Sequence, residues 1–193
     1  MRRAVVVICT LLLSAACSEP PQKEIDRAQG AIDAARAAGA EQYASEPFTA
    51  AVAAMQQTHE AVQQRDYRLA LSRAIDANDR ALEAATQAAN GKARARSDAE
   101  AAIARLSTTI RQLDERLKAA DASRVPAKDV ERAKALRTDA QRALQEARAG
   151  VAGGNFLAAL AASKGMPDRI TAEIRTLSDA IDARTGKARR QRR

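Results

Sequence analysis

The apolar residues between Ile103 and Ala120 recur at alternating steps of three and four residues. This alternation is the seam of a coiled coil, because it keeps every apolar side chain on one stripe of a helix. A second helix must cover such a stripe, so the chain has to fold as packed helices. The stripe consists of Ile103, Leu106, Ile110, Leu113, Leu117 and Ala120.

Composition limits how thick the core between the packed helices can be. The chain has no Trp, two Tyr and two Phe, although 46% of its residues are hydrophobic. Much of that share is alanine, which is the best helix former and buries little surface. The predicted fold class is therefore all-α, as elongated antiparallel helical hairpins or a coiled-coil bundle, without the deep pocket of a compact globule.

Weaker apolar faces precede the seam. In one predicted helix the only histidine of the chain, His59, lies on the apolar face, where we expect it at a packed helix edge and not as a ligand or catalyst. The first predicted face consists of Phe48, Val52, Met55, His59 and Val62, and the face of the next helix consists of Tyr67, Ala70, Leu71, Ala74, Asn78, Ala81 and Ala85.

Punctuating residues predict where the helices begin and end. Ser45 is expected to cap a helix that has Pro47 in its first turn, and Gly186 to end the last helix. Asn90-Gly91, followed by a capping box from Ser97, permits a break inside residues 67–121. A continuous or gently kinked helix is favoured there, because a single glycine costs only about 1 kcal/mol.

Two predicted hairpin corners share one order of residue types. Each has a capping side chain, then an aromatic residue, and three residues later an alanine followed by a leucine. The cap starts the new helix, the aromatic ring wedges between the two helices, and the alanine lets them approach. The agreement favours a duplicated hairpin, with chance convergence as the open alternative. The corners are Asp66, Tyr67, Ala70 and Leu71, and Asn155, Phe156, Ala159 and Leu160.

The N-terminal residues have the order of a secretory signal peptide. Arg2 and Arg3 precede an apolar run over residues 4–13, which is too short to span a bilayer, and small residues then lead to Cys17. This order resembles a bacterial lipobox, which implies lipid on the sulfur and the amino group of Cys17. The alternative is a signal peptide cut near Ala16, which would leave a soluble periplasmic protein. Ser18 favours the outer membrane, with the body facing the periplasm.

These features divide the chain into five parts. Residues 1–16 are the predicted signal peptide, 17–23 the lipidated cysteine and tether, and 24–90 the first helical hairpin. Residues 91–184 form the second, longer hairpin or coiled coil, and 185–193 form a basic tail. The basic residues of the tail are Lys187, Arg189, Arg190, Arg192 and Arg193.

Part of the chain resembles a known family. The run from Ala34 to Ala44, and Gln64-Arg65-Asp66-Tyr67 with Ala70 and Ala74, are similar to a domain-of-unknown-function family of alanine-rich bacterial envelope lipoproteins. The resemblance covers residues 24–89, and Arg65 stands where the family prefers glycine. It implies a lipidated helical protein without known catalytic residues.

The second corner is similar to the mid-repeat turn of tetratricopeptide repeats. Residues 154–160 carry this similarity. It implies that the fold consists of two tetratricopeptide-like hairpins.

The sequence contains no motif that predicts catalysis, a metal site or a cofactor. We expect a non-enzymatic lipid-anchored scaffold or interaction module, with an envelope protein or a second copy of the chain as its partner. One alternative is that the basic tail binds peptidoglycan or lipopolysaccharide. Another is a periplasmic adaptor or chaperone with a helical-repeat groove. Nucleic acid is not expected as a partner, because the protein is predicted to be secreted and its basic residues lack interleaved aromatics.

Overall fold

A computed structural model of the chain describes residues 19–191, with side chains described as far as Gly186, and this part contains helices and no strand. The all-α prediction is confirmed. Contacts divide the chain into two compact units, with the border between Lys92 and Ala93. The helices are α1 (Gln22–Ala37), α2 (Ala40–Tyr43), α3 (Ser45–Gln63), α4 (Tyr67–Ala122), α5 (Ala127–Ala152), α6 (Phe156–Ser163) and α7 (Met166–Gln191).

Unit 1 contains α1, α2, α3 and the first part of α4. Eleven of the fifteen buried residues in its main apolar cluster are alanine. Small side chains allow helix backbones to approach closely, so the helices of this unit are held together by many short contacts. The four larger residues of the cluster are Ile25, Ile32, Phe48 and Met55.

The buried faces of α3 and α4 agree in part with the faces predicted for them, because Phe48, Met55, Ala70, Ala74 and Ala81 are buried as expected. Val52 is 40% exposed, Leu71 is 37% exposed, and His59 is also exposed, so the prediction that His59 lies at a packed edge is wrong. The buried positions of each helix are shifted to one side of the predicted face, because closely packed backbones favour alanine over larger residues. These positions are Ala51, Ala54, Met55, Thr58 and Ala61 in α3, and Ala70, Ala74, Ala77, Ala81, Ala84 and Ala88 in α4.

Helix α4 continues without a break through Asn90, Gly91 and the predicted capping box at Ser97. Gly91 allows close packing of α4 against Tyr43, and it does not form a turn. A Cβ atom at Gly91 would lie 2.8 Å from the carbonyl oxygen of Tyr43 and 3.1 Å from the Cβ atom of Tyr43. Only glycine lets α4 pass this close to the end of α2.

Unit 2 contains the rest of α4 together with α5, α6 and α7. The predicted coiled-coil stripe is buried there from Leu106 to Ala120, and Ile103 is half-buried against it. Ile170 and Leu177 of α7 belong to the same cluster and are fully buried. Leucine, isoleucine and valine fill this core more than alanine does, so unit 2 has the thicker core.

Two predicted helix boundaries are wrong. Ala44 stands at the N-terminal boundary of α3, so Ser45 is the first helical residue and not the cap, and its carbonyl oxygen accepts a hydrogen bond from the Thr49 hydroxyl (2.7 Å). Gly186 lies within α7, which continues to Gln191. A glycine weakens a helix by about 1 kcal/mol and does not by itself end one.

Candidate functional site

The first corner connects α3 to α4 through a left-handed residue. Arg65 has φ 58°, and its N–H donates to the carbonyl oxygen of Val62 (3.0 Å). The N–H of Asp66 donates to the carbonyl oxygen of Ala61 (2.9 Å), which completes a Schellman turn. The Asp66 carboxylate then accepts a hydrogen bond from the N–H of Leu69 (3.0 Å) and caps α4. Tyr67, half-buried, begins the helix.

The second corner, between α5 and α6, repeats this geometry. Gly154 has φ 72°, and the N–H of Asn155 donates to the carbonyl oxygen of Gly150 (2.8 Å). The Asn155 side chain accepts a hydrogen bond from the N–H of Ala158 (3.3 Å). Phe156 is buried. Asp66 and Asn155 therefore cap the helices that follow them, and Tyr67 and Phe156 are the first residues of those helices.

The similarity of the two units extends beyond the corners. Gly39, after α1, and Arg124, after the second part of α4, are both left-handed, with φ 88° and 53°. The stripe buried in α1 consists of Ile25, Ala28, Ile32 and Ala35, and the matching stripe of α4 consists of Ile110, Leu113, Leu117 and Ala120. Apart from the short α2, unit 1 thus consists of α1, α3 and the first part of α4, and unit 2 follows the same order with the rest of α4, then α5, then α6 and α7 together.

An open groove of about 660 Å³ lies in unit 2 where α6 and α7 meet α4. The Arg105 guanidinium donates a hydrogen bond to the Asp168 carboxylate at its edge (2.8 Å). The break after Ser163, which the sequence signals by Gly165-Met166-Pro167, creates this groove. Such a surface can hold a small apolar group beside a positive charge. Its lining includes Ala101, Ala102, Arg105, Leu160, Ala161, Lys164, Pro167 and Asp168.

Ion pairs in unit 2 join α5 to α7 and also form within α5. Arg132 of α5 donates hydrogen bonds from two nitrogens to Glu173 of α7 (3.0 to 3.2 Å), and the Glu173 side chain is only 12% exposed. The hydrogen bond with Glu173 raises the pKa of Arg132 above its ordinary value. Hydrogen bonding with Glu131 likewise raises the pKa of Lys134. Both pairs favour the charged forms of their side chains, and the Arg132–Glu173 pair also joins α5 to α7.

Several predicted site residues lie outside what the structure describes. Cys17 precedes the described residues, and the side chains of the basic tail follow them. The tail residues in question are Lys187, Arg189, Arg190, Arg192 and Arg193.

Within residues 19–191, no group of three or more His, Cys, Asp or Glu residues is placed to hold a metal ion. In the same part of the chain, no helix is long and apolar enough to cross a membrane.

The sequence interpretation missed three exposed apolar residues at the start of α4, which are Leu69, Leu71 and Ile75. The sequence pattern predicts Leu71 on the buried face and predicts no face for Leu69 and Ile75. Their position could have been recognised from the sequence, because all three lie outside the stripe of small residues formed by Ala70, Ala74 and Ala77.

Comparison with known proteins gives no match to a family model, to a curated protein or to a solved structure. The resemblance to alanine-rich envelope lipoproteins therefore stays a prediction.

Proposed function

We propose that the chain is a lipid-anchored helical scaffold of the bacterial envelope, facing the periplasm, and that lipid on Cys17 attaches it to the outer membrane. The lipobox-like sequence before Cys17 supports the anchor. The observation that carries the scaffold is the pair of helical units with similar corners, which share the uninterrupted helix α4. Such repeated units present helix faces to partners and need no catalytic residues.

The anchor is tested by the mass of the mature N-terminus of the full chain, expressed in a Gram-negative host and recovered from membranes. We expect a chain that begins at Cys17 and carries lipid on its sulfur and amino group. The Cys17→Ser variant is expected to lose the lipid mass, whereas Cys9→Ser, in the predicted signal peptide, keeps it. An N-terminus at Ser18 or Met1 in the native sequence would rule out the anchor.

The scaffold is tested separately by its association in the membrane. Crosslinking of the lipidated protein, followed by light scattering of the extracted complex, should give a mass above that of one chain. Crosslinks to a second copy or to another envelope protein would identify the partner. A lone chain of monomer mass in both measurements would contradict the scaffold and leave the anchor standing.

A second candidate function is binding of an anionic envelope polymer by the basic C-terminal residues. The observation in its favour is that α7 continues through Gly186 to Gln191, so the basic segment begins as helix and not as a free tail. Co-sedimentation with purified sacculi, with and without residues 187–193, tests the idea. The shortened chain should pellet less, and equal pelleting would exclude this function.

A further inference from the structure

A second open groove of unit 2 lies between α4 and α5 and has a volume of about 670 Å³. Its floor is formed by Ile110 and Leu144, which are 6% and 8% exposed. Among the described residues that line it, only Arg111 and Arg148 are charged. We call it the arginine groove. Its remaining lining is neutral and consists of Ala104, Ser107, Thr108, Gln141 and Gln145.

The fold does not neutralise the two arginines of this groove. Within the part of the chain that the structure describes, no carboxylate forms an ion pair with either of them. Three other grooves between helices of unit 2 each include a carboxylate, which is Asp168 in the first, Glu115 in the second and Glu173 in the third. The arginine groove therefore differs from them in favouring an anionic partner.

The register of α4 and α5 sets the distance between the two arginines. The helices are antiparallel, and Arg137 of α5 donates a hydrogen bond to Asp114 of α4 (3.3 Å). Arg148 is therefore level with residue 103 of α4, and Arg111 lies eight residues further on, or about 12 Å along the helix. The Thr108 hydroxyl accepts a hydrogen bond from Arg111 (3.1 Å), which draws the guanidinium of Arg111 toward Arg148. A partner thus needs two anionic groups about 10–12 Å apart.

Helix α1 has two carboxylates at this spacing. Asp26 and Asp33 are both exposed and are seven residues apart. Seven residues are close to two full turns, so the two side chains lie on one stripe of α1, about 10.5 Å from each other along the helix. Gln29 and Gly30 lie between them and are neutral. The outer stripe of α1 therefore matches the charge and the spacing of the arginine groove.

One oxygen of each carboxylate stays available to a partner. Gln22 donates to Oδ1 of Asp26 (2.7 Å), and Gln29 and Arg36 both donate to Oδ1 of Asp33 (3.0 Å each). Among the described residues, no hydrogen bond reaches Oδ2 of either aspartate. The side chains of the Arg36–Asp33 pair are 49% and 58% exposed, and exposed ion pairs contribute at most about 1 kcal/mol, so this pair does not prevent a second contact.

The balance of charge along the chain agrees with contact between two copies. Residues 19–92 contain eleven acidic and eight basic side chains, whereas residues 93–186 contain thirteen acidic and seventeen basic side chains. Opposite net charges attract unit 1 of one copy to unit 2 of another, and they steer the encounter. A second copy therefore offers the arginine groove a partner of the required charge.

We propose that α1 of one copy docks in the arginine groove of a second copy, with Asp26 and Asp33 paired to the two arginines. This docking rests on the proposed scaffold, because it names the scaffold's partner as another copy of the chain. The two surfaces differ, so the contact is head-to-tail and leaves one surface free on each copy. One helix in one groove buries less than the roughly 800 Å² per partner of a stable complex, so the association is weak, and its ion pairs make it sensitive to salt.

Sedimentation equilibrium of the full chain, as the bacterial host processes it, measures the docking. A detergent matched to the density of the solvent makes the measured mass that of the protein alone. We expect the average mass to rise above that of one chain as the concentration increases, and to fall back toward one chain at high salt. A native protein of monomer mass at every concentration, or an association that salt does not weaken, overturns the docking.

Exchange of charge between the two surfaces tests which residues make the contact. One variant has Asp26→Arg with Asp33→Arg, and the other has Arg111→Glu with Arg148→Glu. Each alone should lower the association constant by about tenfold or more, where tenfold corresponds to about 1.4 kcal/mol. A mixture of the two variants should associate again, because the arginines on α1 of the first then meet the glutamates in the groove of the second. All four residues are exposed, so circular dichroism should show unchanged helix content.

A matched control removes the same charge elsewhere on unit 2. Arg116 and Arg169 are exposed and line two of the other grooves, and Arg116→Glu with Arg169→Glu should leave the association constant unchanged. If a charge reversal on α1 disturbs the helix, Asp26→Asn with Asp33→Asn removes the two charges without adding repulsion and should still weaken association. Equal weakening in the control, or no recovery in the mixture, overturns the docking.

The outcomes separate the docking from the scaffold. A native chain that is monomeric in sedimentation but crosslinks to another envelope protein in the membrane overturns the docking and leaves the scaffold standing. Copies that associate equally well after charge reversal do the same, because they meet through another surface. A chain that is alone in both measurements overturns the docking and the scaffold together.

Discussion

Alanine and glycine decide how closely the helices of unit 1 approach. The buried stripe of α4 is alanine at every turn from Ala70 to Ala88, while Leu71, Ile75 and Leu82 stay exposed on the adjacent stripe. A larger side chain on the buried stripe would push the helices apart and lose contacts along their whole length. The same constraint acts at Gly91, where even a methyl group meets backbone.

Gly91→Ala should therefore destabilise the protein although alanine is the better helix former. The new Cβ atom would lie 2.8 Å from a carbonyl oxygen, and we expect a loss of about 1–3 kcal/mol from overpacking. Gly30→Ala is the control, because nothing lies within 4 Å of a Cβ atom there. It should stabilise the protein by about 0.5–1 kcal/mol. Urea unfolding measures the free energy of unfolding of both variants. Changes of the same sign in the two variants would contradict the close contact between Gly91 and Tyr43.

The left-handed residues of the two corners lead to a reciprocal prediction. Arg65 has φ 58° where the resembled family prefers glycine, and Gly154 has φ 72° at the matching position. Arg65→Gly should stabilise the protein by about 1 kcal/mol, because glycine adopts this conformation without strain. Gly154→Ala should cost a similar amount, and open space around it excludes a clash as the cause. A loss of stability in Arg65→Gly would be incompatible with the corner geometry.

At the scale of elements, one helix belongs to both units. Helix α4 runs from Tyr67 to Ala122 and passes the border between Lys92 and Ala93. Local signals in the sequence permit a break there, yet the helix continues. Gly91 costs little as a helix residue and is needed for contact with Tyr43, so tertiary packing explains the residue that looks like a helix end.

A proline within this stretch tests whether the helix is continuous. Arg94 is exposed, and Arg94→Pro should remove a backbone hydrogen bond and cost about 3 kcal/mol or more. Arg94→Ala removes the same side chain and should change stability by no more than about 0.5 kcal/mol. Circular dichroism and thermal unfolding compare the two. A proline variant as stable and as helical as the alanine variant would indicate that residues 90–97 form a loop.

For the whole molecule, the two cores differ in kind. Alanine dominates the cluster of unit 1, whereas nine of the thirteen residues in the cluster of unit 2 are larger, among them Leu106, Leu113 and Ile170. Burial of apolar area contributes about 25 cal/mol per Å², so larger buried side chains give unit 2 the greater stabilisation. Stability should then be distributed unevenly along the chain.

Hydrogen exchange measures this distribution directly. Amides of α3 should open and exchange faster than amides of α5, because less apolar surface protects them. Leu113→Ala should cost about 2–5 kcal/mol and accelerate exchange in α5, with a smaller effect in α3. Equal protection of α3 and α5 in the native protein would show that the size of the core does not set local stability.

The sequence by itself determined the all-α class, the coiled-coil stripe of α4 and the two corners. These depend on local spacing and on capping side chains, which act within a few residues. The sequence also contains the lipobox-like order before Cys17, and this segment lies outside the residues that the structure describes. Only the tertiary structure decided which residues, beside Phe48, Met55, Ala70, Ala74 and Ala81, complete the buried stripes of α3 and α4. That choice depends on how closely two backbones approach, and alanine, which fits either a buried or an exposed face, gives no local sign of it. For the same reason the sequence could not reveal that Leu69, Leu71 and Ile75 remain exposed.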